Sequence, residues 1–410
     1  MNITLSKPAN LSEFDSLPSK AEAHRALIAA SLADGKTEIV CKRVNDDMLY
    51  TMGCLNALGA DIKHHGGGFT VCPIKKVPEF AVLDCGMSGS TLRFMLPVAA
   101  SLCNRVEFVL HGRLAQRPLS PLADEMKKHG CTVSCGSRVL SSGIMRGGKF
   151  SLTGSVSSQF ASGLLMAGAL TGIELTLDGN IQSRPYIDMT VGILNNFGAE
   201  ITSSGGIFTA SKKSTLVSPG IFTVGGDYSD AAFFLCAGIV GSKPVTVKGL
   251  DPGSYQGDRA VIDILKMHGG DIKEENGNIT AYPSELKGGN IDLADIPDLA
   301  PPLAVAFASG EGRTVFTSTA RLRYKESDRV LAICSMLNEL GIKTCSDEDS
   351  ITVFPGKISG GTVDSFGDHR IAMAAAVAAI AAEGDITVCG AECVSKSHPL
   401  FFKDMFGIEV

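Results

Sequence analysis

The sequence predicts a mixed α/β (α+β) protein of two similar domains, each assembled from three βαβαββ units. Three observations carry this. A short pattern, in which an apolar helical residue precedes Gly and a strand-like run follows, recurs as NALGADI, KKHGCTV, NNFGAEI, KMHGGDI, NELGIKT and DMFGIEV. Its glycines, Gly59, Gly130, Gly198, Gly269, Gly341 and Gly407, stand about 70 residues apart, so six units fill the chain. The 410 residues suffice for two or three domains with cores of their own, whereas one such unit is too small to bury a core alone, so three are expected per domain.

Each unit is legible in turn. An amphipathic helix such as MLYTMGCLNAL stops at a Gly able to take the left-handed conformation beyond the last helical turn, and the chain then enters a strand. Between these marks lie β-branched or alternating runs with turn signals, KVPEFAVLDCG and AYPSELKGGNIDL, followed by helices that open on small polar residues. The period alone leaves open whether helices or sheets face inward. The segment FGDHRIAMAAAVAAIAAE, 366–383, is apolar almost all round, which predicts a helix buried at a domain centre.

Composition narrows the function. With 44% hydrophobic and 20% charged residues, the chain is neither disordered nor fibrous. MNITLSKPANLSEF lacks the basic start and apolar stretch of a signal peptide, and no apolar run reaches the roughly 18 residues of a membrane span, so a cytoplasmic location is expected. Twelve cysteines are too few for a disulfide scaffold; Cys54, Cys103, Cys236 and Cys334 lie in apolar helix-like runs, where a thiol packs as a small hydrophobe. Cys131 and Cys135, in a strand pattern, read as core thiols rather than metal ligands. A net charge of −6 excludes a general nucleic-acid binder, so any anion site must be local.

Several helix openings carry a Gly/Ser-rich turn followed by a cation. In LPSKAEAHRALIAASL, Lys20 and Arg25 begin a helix; they either hold an anion or snorkel. In GMSGSTLRF, Ser90 and Thr91 can cap a helix whose free N–H groups, with Arg93 nearby, suit an anion. SVSSQFASG offers Ser157, Ser158 and Gln159 at a strand-to-helix turn, suited to a phosphate or to a solvated cap. IPDLAPPLAVAFASG sets Asp298 between a strand and an apolar helix. In RLRYKESDR, Lys325 and Arg329 are expected on one helix face at i and i+4, with Glu326 beside them and Asp328 holding a guanidinium. FGDHRIAMA opens a buried helix with Asp368, His369 and Arg370, where a buried Arg needs a neutralising partner. Lys20, Arg25, Arg117, Arg329, Arg370 and Lys396 thus gather positive charge at element starts in an acidic protein, which points to a small polyanionic substrate.

These stretches resemble the 5-enolpyruvylshikimate-3-phosphate synthases from end to end. The matching signatures are PSKxxxHRALI, SGSTLRF, RP at 117–118, SSQF, SRPYIDMT, YQGD, IPD, RYKESDR, GDHRIAM and KSHP. The resemblance implies two domains of three βαβαββ units with buried helices and outer sheets, residues 1–18 plus 226–410 and 19–225, and an active site in the cleft between them. It also implies a transferase of aromatic amino acid biosynthesis. Such an enzyme moves the enolpyruvyl group of phosphoenolpyruvate to the 5-hydroxyl of shikimate 3-phosphate by addition and then elimination of phosphate. No cofactor, metal, nucleic acid or membrane is implied, and a monomer is expected.

Carried onto this chain, Lys20, Gly89, Arg117, Gln159, Arg329, Arg370 and Lys396 are implied to hold phosphoenolpyruvate. Lys20, Arg25, Ser157, Ser158, Gln159, Ser183, Asp298 and Lys325 are implied for shikimate 3-phosphate. Asp298 is implied to take the 5-hydroxyl proton, while Glu326 and Lys20 are the two candidates to protonate the methylene carbon. Two departures bear on substrate grip: Ala21 stands where the family usually has Ser, and Met87 where a polar residue usually precedes SGSTLR. The related UDP-N-acetylglucosamine enolpyruvyl transferases need a reactive cysteine near 111–121, and HGRLAQRPLSP has none. A paralogue that binds a phosphorylated acid without turnover is the rival of a different class, distinguished by the absence of phosphate release.

Overall fold

The computed structural model describes residues 1–7, 11–155, 157–212 and 216–410. Val156, inside the SVSSQFASG stretch, lies outside the described residues. The chain divides into two units, Met1–Leu17 with Gly225–Val410 (unit 1) and Pro18–Val224 (unit 2). Both crossings fall one residue before the expected boundaries.

Unit 2 holds helices α1 (Lys20–Leu32), α2 (Asp46–Ala57), α3 (Gly89–Leu102), α4 (Leu122–Lys128), α5 (Ser158–Thr171) and α6 (Arg184–Asn196). Unit 1 holds α7 (Tyr228–Val240), α8 (Ala260–Met267), α9 (Ala300–Ala308), α10 (Arg329–Glu339), α11 (His369–Ala381) and α12 (Phe401–Phe406). The odd-numbered helices are the more deeply buried ones. In α11 every residue from His369 to Ile380 is buried, as its sequence predicts. In unit 2, α3 packs on α5; in unit 1, α7, α9 and α11 pack on one another. Gly163 permits the first of these contacts, since a Cβ there would lie 2.4 Å from the Arg93 carbonyl oxygen.

The even-numbered helices end at the repeat glycines. All six glycines are left-handed, with φ from +72° at Gly407 to +105° at Gly59; the first five release the chain from a helix into a strand, while among the described residues no strand follows Gly407.

Among the described residues each unit has three sheets. In the sheet Phe80–Asp84, Arg105–Val109, Arg138–Ser142, Thr132–Cys135, the first pair is parallel and the rest antiparallel, as βαβαββ connectivity requires. Gly148–Thr153 and Asn290–Asp292 open two further sheets of this wiring. The remaining units borrow strands: Ile221–Thr223 pairs with Thr37–Val40, Glu13–Asp15 with Val245–Lys248, and Asn2–Leu5 with Ile386–Cys389. Each unit has its own apolar core. All twelve cysteines are free thiols, Cys131 buried but Cys135 exposed, so only the first of that pair is a core thiol. Among the described residues no helix is long and apolar enough to cross a membrane.

Candidate active site

In unit 2, helix N-termini converge through polar side chains. Ser19 caps α1, Ser88 caps α3 and Ser157 caps α5, each accepting from a backbone N–H at 3.3 Å. The α3 cap is therefore Ser88, not Ser90 or Thr91, because the helix begins at Gly89, two residues earlier than a Ser90 cap would give. Gln159, in the first turn of α5, donates to Ser90 Oγ at 2.9 Å and accepts from the Arg93 guanidinium at 2.7 Å, joining α5 to α3. Ser158 is buried beside it. Arg117 lies across the start of α3: a Cβ on Gly89 would come within 2.6 Å of its guanidinium, so a larger residue there would displace that side chain.

Lys20 reaches Asp47 at 3.2 Å. Arg25 is 3% exposed and is held by Thr190 Oγ1 (2.7 Å), the carbonyls of Ala21 (2.7 Å) and Tyr186 (3.0 Å), and Ser162 Oγ (3.3 Å). Among the described residues no carboxylate lies within ion-pair distance of it, and burial lowers its pKa to about 10. Tyr186 and Glu22 offset the cost of burying this guanidinium only in part, so an anionic ligand beside it would be stabilising. Ser183 precedes α6 with a left-handed backbone (φ +55°), unusual for a residue with a side chain. His24, wholly buried, hydrogen-bonds Thr51 at 2.7 Å, and burial lowers its pKa to about 3, so it is neutral.

Unit 1 gathers the other set around Asp298, which lies in a short 3₁₀ turn (Pro297–Leu299) ahead of α9. Its carboxylate meets Arg329 at 2.8 Å, Arg370 at 3.1 Å and Lys325 at 3.4 Å. Burial alone would raise the pKa of Asp298, but Arg370, Lys325 and Arg329 outweigh it and hold the carboxyl well below its usual range. Lys325 is lowered to about 8, by burial against the pull of Asp298. Glu326 bridges Arg329 and Lys396, both at 2.9 Å.

Lys325 and Arg329 do not share a helix face. A 3₁₀ turn over Ala320–Tyr324 ends before Lys325, which is extended, and α10 begins only at Arg329. The two cations reach Asp298 from a loop and from a helix start. Asp328 does hold a guanidinium, that of Arg323 at 3.5 Å, and it also caps α10 through the Leu331 N–H at 3.1 Å. The Arg329 guanidinium is held instead by Asp368, with Ser327 Oγ donating to that carboxylate at 3.0 Å.

Of the expected site residues, Lys20, Arg25, Gly89, Arg117, Ser157, Ser158, Gln159 and Ser183 lie in unit 2, and Asp298, Lys325, Glu326, Arg329, Arg370 and Lys396 in unit 1, where ion pairs join these six. Sequence reasoning missed Asp47, which follows the Asn45 cap of α2, and gave Asp368 no part in orienting Arg329. The VNDDML and GDHR stretches carry the available signal, a carboxylate at a helix start facing a cation of another segment. Among the described residues no group of three or more His, Cys, Asp or Glu side chains is placed to hold a metal ion.

Buried cations at helix N-termini, built into repeated sheet-and-helix units, define a binder of small polyanions. The family model for EPSP synthase (3-phosphoshikimate 1-carboxyvinyltransferase) matches residues 8–405, and the chain belongs to this family. The 3-phosphoshikimate 1-carboxyvinyltransferase of Methanocorpusculum labreanum is 36% identical over 404 residues, covering 95% of this chain and 94% of that protein. The one from Clostridium kluyveri is 37% identical over 401 residues, 94% of this chain and 92% of its own length. Among solved structures, an EPSP synthase from Acinetobacter baumannii superposes with a TM-score of 0.81 at 26% identity, covering 98% of this chain and 96% of that one.

Proposed function

We propose that this chain transfers the enolpyruvyl group of phosphoenolpyruvate to the 5-hydroxyl of shikimate 3-phosphate, releasing phosphate. Family membership supports the reaction, and the observation that carries the residue roles is Asp298 gripped by three cations, Arg329, Arg370 and Lys325. Phosphoenolpyruvate brings a carboxylate and a phosphate. Arg329, Arg370 and Lys396 of unit 1, with Lys20, Gly89, Arg117 and Gln159 of unit 2, are the groups we assign to it. Arg25, Ser157, Ser158, Gln159, Ser183, Lys20 and Lys325 are assigned to shikimate 3-phosphate, along with Asp298.

Asp298 with its cations close by is ionised but weakly basic. Substrate anions compete for Arg370 and Lys325; as those cations turn to the new oxygens, Asp298 loses stabilising charge and its basicity rises. It then takes the proton from the 5-hydroxyl as that oxygen bonds to C2 of phosphoenolpyruvate, while an acid protonates C3. Glu326 and Lys20 are the candidate acids. Elimination of phosphate from the tetrahedral intermediate, with loss of a C3 proton, restores the enol ether. The remaining cations stabilise the intermediate's phosphate and carboxylate without needing to reorganise.

The test is phosphate release from phosphoenolpyruvate with and without shikimate 3-phosphate. Release that requires both substrates is expected. No release from folded protein would overturn the reading in favour of a binding protein.

A further inference from the structure

His398 is buried in unit 1, 2% exposed, and each ring nitrogen faces a carboxylate. Nδ1 lies 2.8 Å from Asp230 Oδ1 and Nε2 lies 3.0 Å from Asp404 Oδ2. A neutral imidazole has one N–H and one lone pair, so it donates to only one of them; both are satisfied only when both nitrogens carry protons. Asp230 belongs to the first turn of α7 and Asp404 to α12, so the ring ties two helices together. Phe234 and Phe401 pack against it, at centroid distances of 5.8 and 5.4 Å.

Two residues upstream stands Lys396, the last residue of the 3₁₀ turn Ala391–Lys396, whose ammonium contacts Glu326. The backbone binds this turn to the histidine: the His398 N–H donates to the Val394 carbonyl at 2.8 Å, and the Phe401 N–H donates to the His398 carbonyl at 3.1 Å. The start of the turn is tied by the Gly390 and Ala391 N–H groups to the Met1 carbonyl and by the burial of Ala391 and Val394, so the His398 side chain is an anchor at its C-terminal end.

We infer that His398 is a positioning residue: as an imidazolium bridging Asp230 and Asp404, it fixes the turn that presents Lys396 to phosphoenolpyruvate. This rests on the assignment of Lys396 to that substrate. The charged groups around the ring are Asp230 from α7, Asp404 from α12 and, on its own segment, Lys396, which is turned to Glu326; Lys403 of α12 is engaged by Glu409 at 2.6 Å. Burial lowers the His398 pKa, but the two carboxylates outweigh it and raise it to about 9. When the proton leaves, one carboxylate faces a lone pair, the bridge opens on one side and the turn loses an anchor.

The experiment compares wild type with His398→Gln, Asp404→Asn and Lys396→Met. The Michaelis constants for phosphoenolpyruvate and shikimate 3-phosphate are measured separately from pH 6 to 10, and the wild-type imidazole is titrated by NMR. Asp404→Asn opens the bridge at a partly exposed position, so it serves if His398→Gln fails to fold. Losing one charged hydrogen bond predicts that His398→Gln raises the constant for phosphoenolpyruvate about tenfold and that for shikimate 3-phosphate less than about twofold. In wild type the first constant climbs above about pH 9, and in His398→Gln this climb is absent. A neutral ring at pH 7, an unchanged phosphoenolpyruvate constant, or equal rises in both constants would overturn the inference. If Lys396→Met leaves the phosphoenolpyruvate constant unchanged, the Lys396 assignment has failed and the inference falls with it. If Lys396→Met raises that constant and His398→Gln does not, the inference alone has failed.

Discussion

Arg329 and Asp368 meet edge to edge inside unit 1, Nε 3.0 Å from Oδ2 and a terminal nitrogen 3.2 Å from Oδ1, with side-chain exposures of 1% and 0%. The fork geometry fixes the guanidinium plane and leaves its other terminal nitrogen aimed at Asp298. Asp368 also caps α11 by accepting the Arg370 N–H at 3.0 Å. One carboxylate therefore sets two of the three arginines assigned to phosphoenolpyruvate, Arg329 through its side chain and Arg370 through its backbone.

Asp368→Ala should destabilise the protein by roughly 3–5 kcal/mol, the usual cost of breaking a buried pair from one side. The urea-unfolding midpoint measures it. Asp368→Asn, which keeps a cap acceptor, should lose less, and a loss below about 1 kcal/mol for the alanine variant would mean that Glu326 and Asp298 already suffice to hold Arg329.

Asp298→Asn preserves shape while removing both the base and one negative charge among three cations. Turnover should fall by about 10²-fold or more, the ordinary contribution of a general base, and neither Michaelis constant should rise, since the site becomes more positive. Steady-state kinetics with both substrates decide this. Activity within a few-fold of wild type would remove Asp298 from the mechanism.

Ala21 is half-buried at the start of α1, and its carbonyl already receives Arg25. A hydroxyl there would add a donor for the anion that Arg25 is proposed to hold. Ala21→Ser should lower the Michaelis constant for shikimate 3-phosphate by about tenfold, from a hydrogen bond to a charged group worth roughly 1.5 kcal/mol or more, and leave that for phosphoenolpyruvate nearly unchanged. Equal shifts in both constants would place the contact elsewhere.

The His398 bridge also makes stability depend on pH. The imidazole pKa rises from the ordinary 6.5 in the unfolded chain to about 9 when folded, so its stabilisation is fully present below about pH 6.5 and is lost as pH climbs through 9. Its size is roughly 3 kcal/mol. Denaturant titrations of wild type and His398→Gln should differ most near pH 6 and converge near pH 10; a difference independent of pH would show that packing on Phe234 and Phe401, rather than charge, sets the cost.

Much of the architecture is local chemistry repeated six times. Glycines that must adopt positive φ, helices with one apolar stripe alternating with helices apolar all round, and strand-like runs between them are each decided within a few residues, so they can be read along the chain. The site's residue types are legible for the same reason: a cation in the first two turns of a capped helix is a local feature at Lys20, Arg25, Arg329 and Arg370.

What neighbours along the chain cannot decide is which side chain meets which. Strand exchange brings Ile221–Thr223 beside Thr37–Val40 and Asn2–Leu5 beside Ile386–Cys389, because an edge strand pairs with whatever backbone lies next to it in space, regardless of separation in sequence. RLRYKESDR read as one charged helix face, yet the chain breaks after Tyr324 because Lys325 and Arg329 are drawn from different directions to the carboxylate of Asp298. Asp368 became the orienting group for Arg329 although 39 residues separate them. Opposite charges buried together are strongly attracted, but which pair forms depends on distances that only packing sets. Helices, turns and candidate residues follow from the order of amino acids, whereas the ion-pair geometry that tunes Asp298 and Lys325 exists only once the helices have packed.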